Sequence, residues 1–211
     1  MKKEIHKICE RYRIENYTIN DDGSIDVDGD VGISERGLER IPIKFREVTG
    51  YFDCSYNNLI SLGDSPKEVG GGFYCSVNKL ISLEGGPKRV GGGFSCYDNN
   101  LTSLEGCPER VGGYFNCNKN KLTSLKGSPE RVDRSFSCGW NGLTSLEGCP
   151  KRVGGDFYCY KNILTTLEGC PKEVGGLFDC YDNNLPAHVI YDPIAEIKKI
   201  HRNNKLKILL G

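Results

Sequence analysis

Residues 93–113 read Gly93-Phe94-Ser95-Cys96-Tyr97-Asp98-Asn99-Asn100-Leu101-Thr102-Ser103-Leu104-Glu105-Gly106-Cys107-Pro108-Glu109-Arg110-Val111-Gly112-Gly113. The same phrase returns every 21 residues from Tyr51 to Asn183, giving six full turns and the first third of a seventh, with nothing inserted or deleted. Written out, it is Phe-x-Cys-x-x-Asn-x-Leu-x-Ser-Leu, a Gly-x-Pro corner, then Val-Gly-Gly leading into the next Phe. Phe52, Phe73, Phe94, Phe115, Phe136, Phe157 and Phe178 each stand two residues before Cys54, Cys75, Cys96, Cys117, Cys138, Cys159 and Cys180. Two-residue spacing puts both side chains on one side of a short strand. Constant spacing lets each Phe stack on the next at the ~4.8 Å separation of neighbouring parallel strands. The predicted architecture is therefore a solenoid with Phe and Cys in its core.

The remaining apolar columns fill the same interior. Leu59, Leu80, Leu101, Leu122, Leu143 and Leu164 are each followed three residues later by another Leu on the returning arm, and Val69, Val90, Val111, Val132, Val153 and Val174 close the turn. Asn57 and its six equivalents follow the strand where the chain must bend, a place for an amide ladder that pairs backbone groups left over by regular pairing. The corner prolines, Pro66 to Pro171, forbid a long helix on the outer arm, leaving extended or 3₁₀-like backbone there. The Gly-Gly pairs permit positive φ or close approach of adjacent turns. Asp133-Arg134 replaces one such pair, and a local distortion is expected at that turn.

Phe-x-Cys-x-x-Asn-x-Leu resembles the leucine-rich repeat signature, with Phe and Cys standing in for two leucines. The turn length and the Leu-Thr-x-Leu run followed by Pro resemble the short repeats of bacterial effector proteins. The chain is also similar to small cytosolic Cys- and Gly-Gly-rich repeat proteins encoded by bacteriophages. The resemblance covers residues 51–183 directly. It extends loosely to residues 30–50, where Val31, Ile33, Leu38, Ile41 and Val48 fall on core positions. It implies an α/β solenoid of leucine-rich-repeat type, with a parallel β-sheet on a concave face and a non-helical convex arm. Residues 1–29 are read as an N-terminal cap, with an amphipathic helix over 3–13 and a hairpin about Asp21-Asp22-Gly23. Residues 30–50 form a degenerate first repeat, 51–185 the repeats, and 186–211 a C-terminal cap. In that last segment Asp192 caps a helix beginning at Pro193, with Ile194, Ile197 and Ile200 on one face.

Composition narrows the chemistry. Among 211 residues, 28 Lys+Arg balance 28 Asp+Glu, so there is no general attraction to nucleic acid or anionic lipid. The amino terminus is charged throughout, which predicts no export signal and a cytoplasmic protein, in the host cytoplasm if the chain is phage-encoded. Thiols stay reduced in that compartment, so the 11 Cys are not read as disulfides. No Cys-x-x-Cys pair exists, and a line of sulfurs between Phe rings does not converge on a tetrahedral metal. The ladder thiols are read as small apolar filler. Cys107, Cys149 and Cys170 share their position with Ser65, Gly86 and Ser128, which points to size and not chemistry.

His6, His188 and His201 all lie outside the full repeats, and no nucleophile-elbow or phosphate-loop motif occurs, so no catalytic residue, cofactor or metal site is expected. Effector proteins of the resembled kind often carry a separate ubiquitin-ligase domain; this chain stops shortly after its C-terminal cap and that activity is not expected of it. Asp21, Asp22, Asp26, Asp28 and Asp30 invite a calcium reading, but Gly29 breaks the EF-hand spacing, and a solvated hairpin edge is preferred.

The outward strand positions carry the functional expectation. Tyr51, Tyr74, Tyr97, Tyr114, Tyr158, Tyr160 and Tyr181 occupy them, with Trp140 one residue beyond the fifth strand. Tyr and Trp supply large contact area at low entropic cost. The charges among those positions are Asp53, Asp156 and Asp179, with no Lys or Arg, the wrong sign for a nucleic-acid platform. The expected function is non-enzymatic binding of a protein partner through this Tyr-rich face. The resemblance adds a phage-borne factor that inhibits or sequesters a bacterial host protein, such as a defence component. The competing readings are a self-associating structural solenoid, including a homodimer, and a Cys-based metal or redox protein.

Overall fold

Parallel pairing at a step of 21 residues dictates the architecture. In the computed structural model, which describes residues 1–210 and side chains as far as Asn204, the chain is a β-solenoid of about seven turns with helices at its two ends. Helix α1 covers Lys2–Tyr12, α2 Ala187–Tyr191 and α3 Pro193–Leu210. The final residue of the expected C-terminal cap, Gly211, lies outside the described residues.

One wall is the Phe sheet, eight parallel strands from Val31–Gly32 through Phe52–Asp53 to Phe178–Asp179. Phe pairs with Phe throughout, as in Phe94 with Phe115 and Phe115 with Phe136. Seven successive rings lie with centroids 5.0–5.6 Å apart from Phe52 to Phe178, whereas Phe45 meets Phe52 edge-on at 76°. Ring offset lets the faces pack at this spacing without the repulsion of a direct sandwich. Val31 takes the Phe position of the degenerate first turn and pairs with Phe52.

The outer arm, expected to be extended or 3₁₀-like, is extended and regularly paired. Each Val column seeds a second, nine-stranded sheet, reached through the hairpin Tyr17–Ile19 and Ile25–Val27 and the strand Phe45–Val48, then Glu68–Val69 and its equivalents to Glu173–Val174. Inter-turn backbone bonds run on around the corner between the sheets: Lys67 N–H donates to Arg46 O at 2.8 Å, Gly71 N–H to Gly50 O at 2.8 Å and Phe73 N–H to Gly93 O at 2.8 Å. Pairing across a solenoid's walls satisfies backbone groups that a coiled arm would leave to water.

The Gly-Gly pairs serve close approach and not positive φ. A Cβ on Gly91, Gly112 or Gly175 would collide with the carbonyl oxygen of the glycine one turn earlier. Positive φ belongs instead to the glycines of the Gly-x-Pro corner, 81–90° at Gly85, Gly106, Gly127, Gly148 and Gly169. The distortion expected at Asp133-Arg134 is absent from the pairing, which stays in register on both sides. Arg110 stands directly opposite Arg131, a like-charge juxtaposition that costs stability. Asp133 meets both, accepting from Arg131 Nε at 2.6 Å and Arg110 Nη2 at 3.0 Å, and so supplies the missing counter-charge.

The Asn ladder closes each bend. Asn78 Nδ2 donates to Cys54 O of the preceding turn at 3.0 Å and to Cys75 O of its own at 3.2 Å, while its Oδ1 accepts from Leu59 N–H at 2.9 Å. The residue just before each Asn is left-handed, with φ of 54–57° at Tyr56, Val77, Asp98, Lys119, Trp140, Lys161 and Asp182. This bend aims the amide inward; its cost for side chains bearing Cβ is about 1 kcal/mol or more. The corner position shared by Ser and Cys has a chemical logic as well as a size: Ser65 Oγ donates to Gly85 O at 3.1 Å and Cys107 Sγ to Gly127 O at 2.8 Å. Cys170 has no following corner, and its Sγ meets Nε2 of His201 on α3 at 3.7 Å instead.

At the N-terminal end Ile5 and Cys9 of α1 are buried in the common core. The Asp-rich hairpin is tied down and not merely solvated. Asp22 pairs with Lys44 at 2.7 Å and Asp26 with Arg46, Asp28 accepts from Thr49 at 2.9 Å, and Asp30 accepts Tyr51 N–H at 2.8 Å. At the other end Asp192 Oδ1 accepts Ala195 N–H at 3.0 Å, capping α3. Ile197 and Ile200 pack on the core, whereas Ile194, expected beside them, is exposed.

Candidate functional site

The outer face of the Phe sheet is built from three columns, the residues before Phe, between Phe and Cys, and after Cys. Strand alternation turns these outward while Phe and Cys point in. The left-handed residue beyond adds a fourth column at the rim. The sequence-predicted positions gather toward the two ends of this face.

Toward the N-terminal half, Asp53, Tyr74, Tyr97 and Tyr114 converge with Tyr56 around a shallow trough of about 430 Å³. Its floor is small and polar, with Ser76 Oγ 2.7 Å from Ser95 Oγ. Tyr114 lies across Gly93, its Cε1 2.6 Å from where a Cβ would stand, and the Tyr74 hydroxyl similarly covers Gly72. These rings roof glycines, so part of their surface serves the sheet itself. Burial first, and then the neighbouring Tyr74 and Asp53, raise the Tyr114 phenol above its ordinary range, so it stays a neutral donor. Asp53 Oδ1 accepts Ser55 N–H at 2.9 Å.

Toward the C-terminal half, Tyr158 and Tyr160 meet edge to face at 6.4 Å. Tyr158 donates its hydroxyl to Asp156 Oδ2 at 2.9 Å, and Asp156 Oδ1 accepts Leu177 N–H at 2.8 Å. Those bonds, the Leu177 N–H foremost, hold the Asp156 carboxyl below its usual range, and they raise the Tyr158 phenol. Tyr160 covers Gly139, and its hydroxyl accepts from Asn118 Nδ2 at 3.2 Å. Trp140 stands at the rim, 48% exposed. Asp179 pairs with Tyr158 and its Oδ1 accepts Tyr181 N–H at 3.0 Å, which sets Tyr181 one turn beyond Tyr160; Tyr181 and, at the other end, Tyr51 are exposed.

Three features escaped the sequence reading. Tyr56, 58% exposed, occupies the same rim position as Trp140, four turns away, and that register was available as a signal. Leu177 continues the column of Tyr51 and Tyr114 and is 59% exposed. Cations also reach the face from the rim, where no strand position holds one: Lys119 Nζ lies 5.0 Å from the centre of the Tyr97 ring and Lys161 Nζ 4.0 Å from that of Trp140. The left-handed backbone directs these lysines back over the sheet, and no side-chain pattern announces it.

The thiols are quiet. All 11 cysteines are free, and burial pushes each ladder thiol up, so none supplies a thiolate at neutral pH. Cys170, facing His201, is raised by burial to about 11, so it too stays a thiol. Among the described residues no group of three His, Cys, Asp or Glu side chains is placed to hold a metal ion, and no helix is long and apolar enough to cross a membrane. No protein-family model, curated protein or solved structure matches the chain.

Proposed function

We propose that the chain is a non-enzymatic binding module that takes a protein partner on the Tyr-rich outer face of its Phe sheet. One observation carries this reading. Large side chains with no role in the solenoid, Tyr56, Trp140, Leu177 and Tyr181, stand 48–67% exposed on the same rigid face as the half-buried tyrosines. Interfaces concentrate aromatic residues of this kind over preorganised backbone. The leucine-rich-repeat resemblance supplies the remainder of the proposal: a concave face, a cytoplasmic setting, and a phage-borne factor that sequesters or inhibits a bacterial host protein.

The test is affinity capture from a bacterial lysate with the intact chain beside the Tyr97→Ala, Trp140→Ala, Tyr158→Ala variant. The variant is expected to lose the captured protein while its melting temperature moves little; retained capture rejects this face.

A homodimer or longer self-assembly is the second reading. It is favoured by the last strand of the Phe sheet, Phe178–Asp179, which has no further strand beside it among the described residues, and by exposed Leu177, Tyr181, Tyr191 and Ile194 near it. Sedimentation at micromolar concentration distinguishes the two.

A further inference from the structure

We propose that the trough bounded by Tyr56, Tyr74, Tyr97 and Tyr114 is a receptor for a guanidinium or ammonium side chain presented by the protein partner, with Asp53 as its counter-charge. This rests on the protein-binding reading and adds the chemistry of what is bound.

Three observations converge. First, the face already attracts cations: Lys119 lies over Tyr97 at 5.0 Å, and Lys161 over Trp140 at 4.0 Å. The negative face of an aromatic ring draws positive charge, most strongly where water is partly excluded. Second, Tyr56, Tyr74 and Tyr114 carry no such cation among the described residues, yet they line the same trough of about 430 Å³, which has room for a side-chain head group above small serines. Third, the charge is complementary. Asp53 spends Oδ1 on Ser55 N–H, while Oδ2 has no partner among the described residues. Around it lie neutral phenols and hydroxyls, which offer oxygen lone pairs to the five N–H donors of an arginine. An apolar guest would leave Asp53 desolvated and unpaired, and an anion would meet it as a like charge.

Lys119 is then a built-in competitor, holding Tyr97 until an incoming cation displaces it. The probe is the capped tripeptide acetyl-Thr-Arg-Thr-amide, with its citrulline twin, which keeps the planar shape but exchanges one donor nitrogen for a carbonyl oxygen and lacks the charge. Binding is followed by NMR shifts of the tyrosine ring protons. The arginine peptide is expected to give saturable shifts confined to the trough rings, and the citrulline twin none. Asp53→Asn keeps the bond to Ser55 and is expected to weaken binding about tenfold, whereas Lys119→Met strengthens it severalfold. Unchanged tyrosine spectra in Asp53→Asn without ligand establish that the fold is intact. Equal binding of the citrulline twin, undiminished binding by Asp53→Asn, or no saturable shift overturns the proposal. If the intact chain still captures a protein through the aromatic face while the arginine peptide fails, this inference falls and the protein-binding reading stands. If the aromatic triple variant also keeps its capture, that reading falls as well.

Discussion

Asn99 donates from Nδ2 to Cys75 O, one turn back, at 3.0 Å. The same amide donates to Cys96 O in its own turn and accepts Leu80 N–H at 3.0 Å, so one side chain rivets two turns through groups that the sheets leave unpaired. Asn99→Ala leaves the Leu80 N–H buried without a partner, while the Cys75 and Cys96 carbonyls keep one amide donor each, from Asn78 and Asn120, in place of two. At 1–3 kcal/mol for the one unsatisfied group, a loss of about 2 kcal/mol is expected, read from urea unfolding. Asn99→Asp retains the acceptor but forfeits the donors and is expected to do no better.

Val77 is the worst-suited occupant of the left-handed column, with φ of 54° on a β-branched residue. Its side chain is only half buried, so little packing opposes replacement. Val77→Gly or Val77→Asn is expected to raise stability by about 1 kcal/mol, seen as a higher denaturant midpoint with unchanged slope. A lower midpoint shows that Val77 packing outweighs its backbone cost.

Burial raises the ladder thiols in the folded chain, while an unfolded thiol ionises near 9. Below that value both states hold the proton and stability is intact. As pH climbs past it only the unfolded chain ionises, so stability falls by about 1.4 kcal/mol per pH unit for each such thiol. Urea midpoints measured from pH 8 to pH 10.5 are expected to drop steeply, and Cys96→Val to flatten the drop by one thiol's share. Native thiols are expected to resist labelling at neutral pH and to react fully once urea is added.

Acid acts elsewhere. Lys44 and Ser24 hold the Asp22 carboxyl below its ordinary range, and Arg46 does the same for Asp26. Depressed carboxylates stabilise the fold above the ordinary value of about 4 and lose that contribution as pH falls below it. Amide exchange, corrected for intrinsic rates, is expected to show Ile25, whose N–H donates to Lys44 O at 2.9 Å, losing protection in acid before Phe115 does. Asp26→Asn is expected to loosen Ile25 at neutral pH and to reduce its acid response to the share that Asp22 and Lys44 carry.

The columns legible in the sequence are those where every turn carries the same side chain. Phe94, Cys96, Asn99 and Leu101 announce a solenoid because burial tolerates no variation at 0% exposure for Phe94, Cys96 and Leu101. The left-handed column was hidden because Tyr56, Val77, Asp98 and Lys119 share a backbone conformation and nothing else. The second sheet was equally hard to read: Val90 and Val111 were seen as core, but two paired residues flanked by Pro and Gly carry no alternation to recognise. Ser65 and Cys107 looked interchangeable for volume, whereas both donate to a glycine carbonyl in the next turn. For the face, outward tyrosines were visible, but their division into rings that roof glycine and rings that stand free is a tertiary matter. So is the arrival of Lys119 and Lys161.

Since the strands of every turn pair only with those of its neighbours and no insertion interrupts the step of 21 residues, a gene can gain or lose one coding unit and still yield a continuous stack. Deleting residues 94–114 brings Phe115 onto Phe73 in the place vacated by Phe94. The distance from the Tyr56 end of the molecule to Trp140 is thereby a ruler graduated in strand widths, which recombination can lengthen or shorten without redesigning the interior.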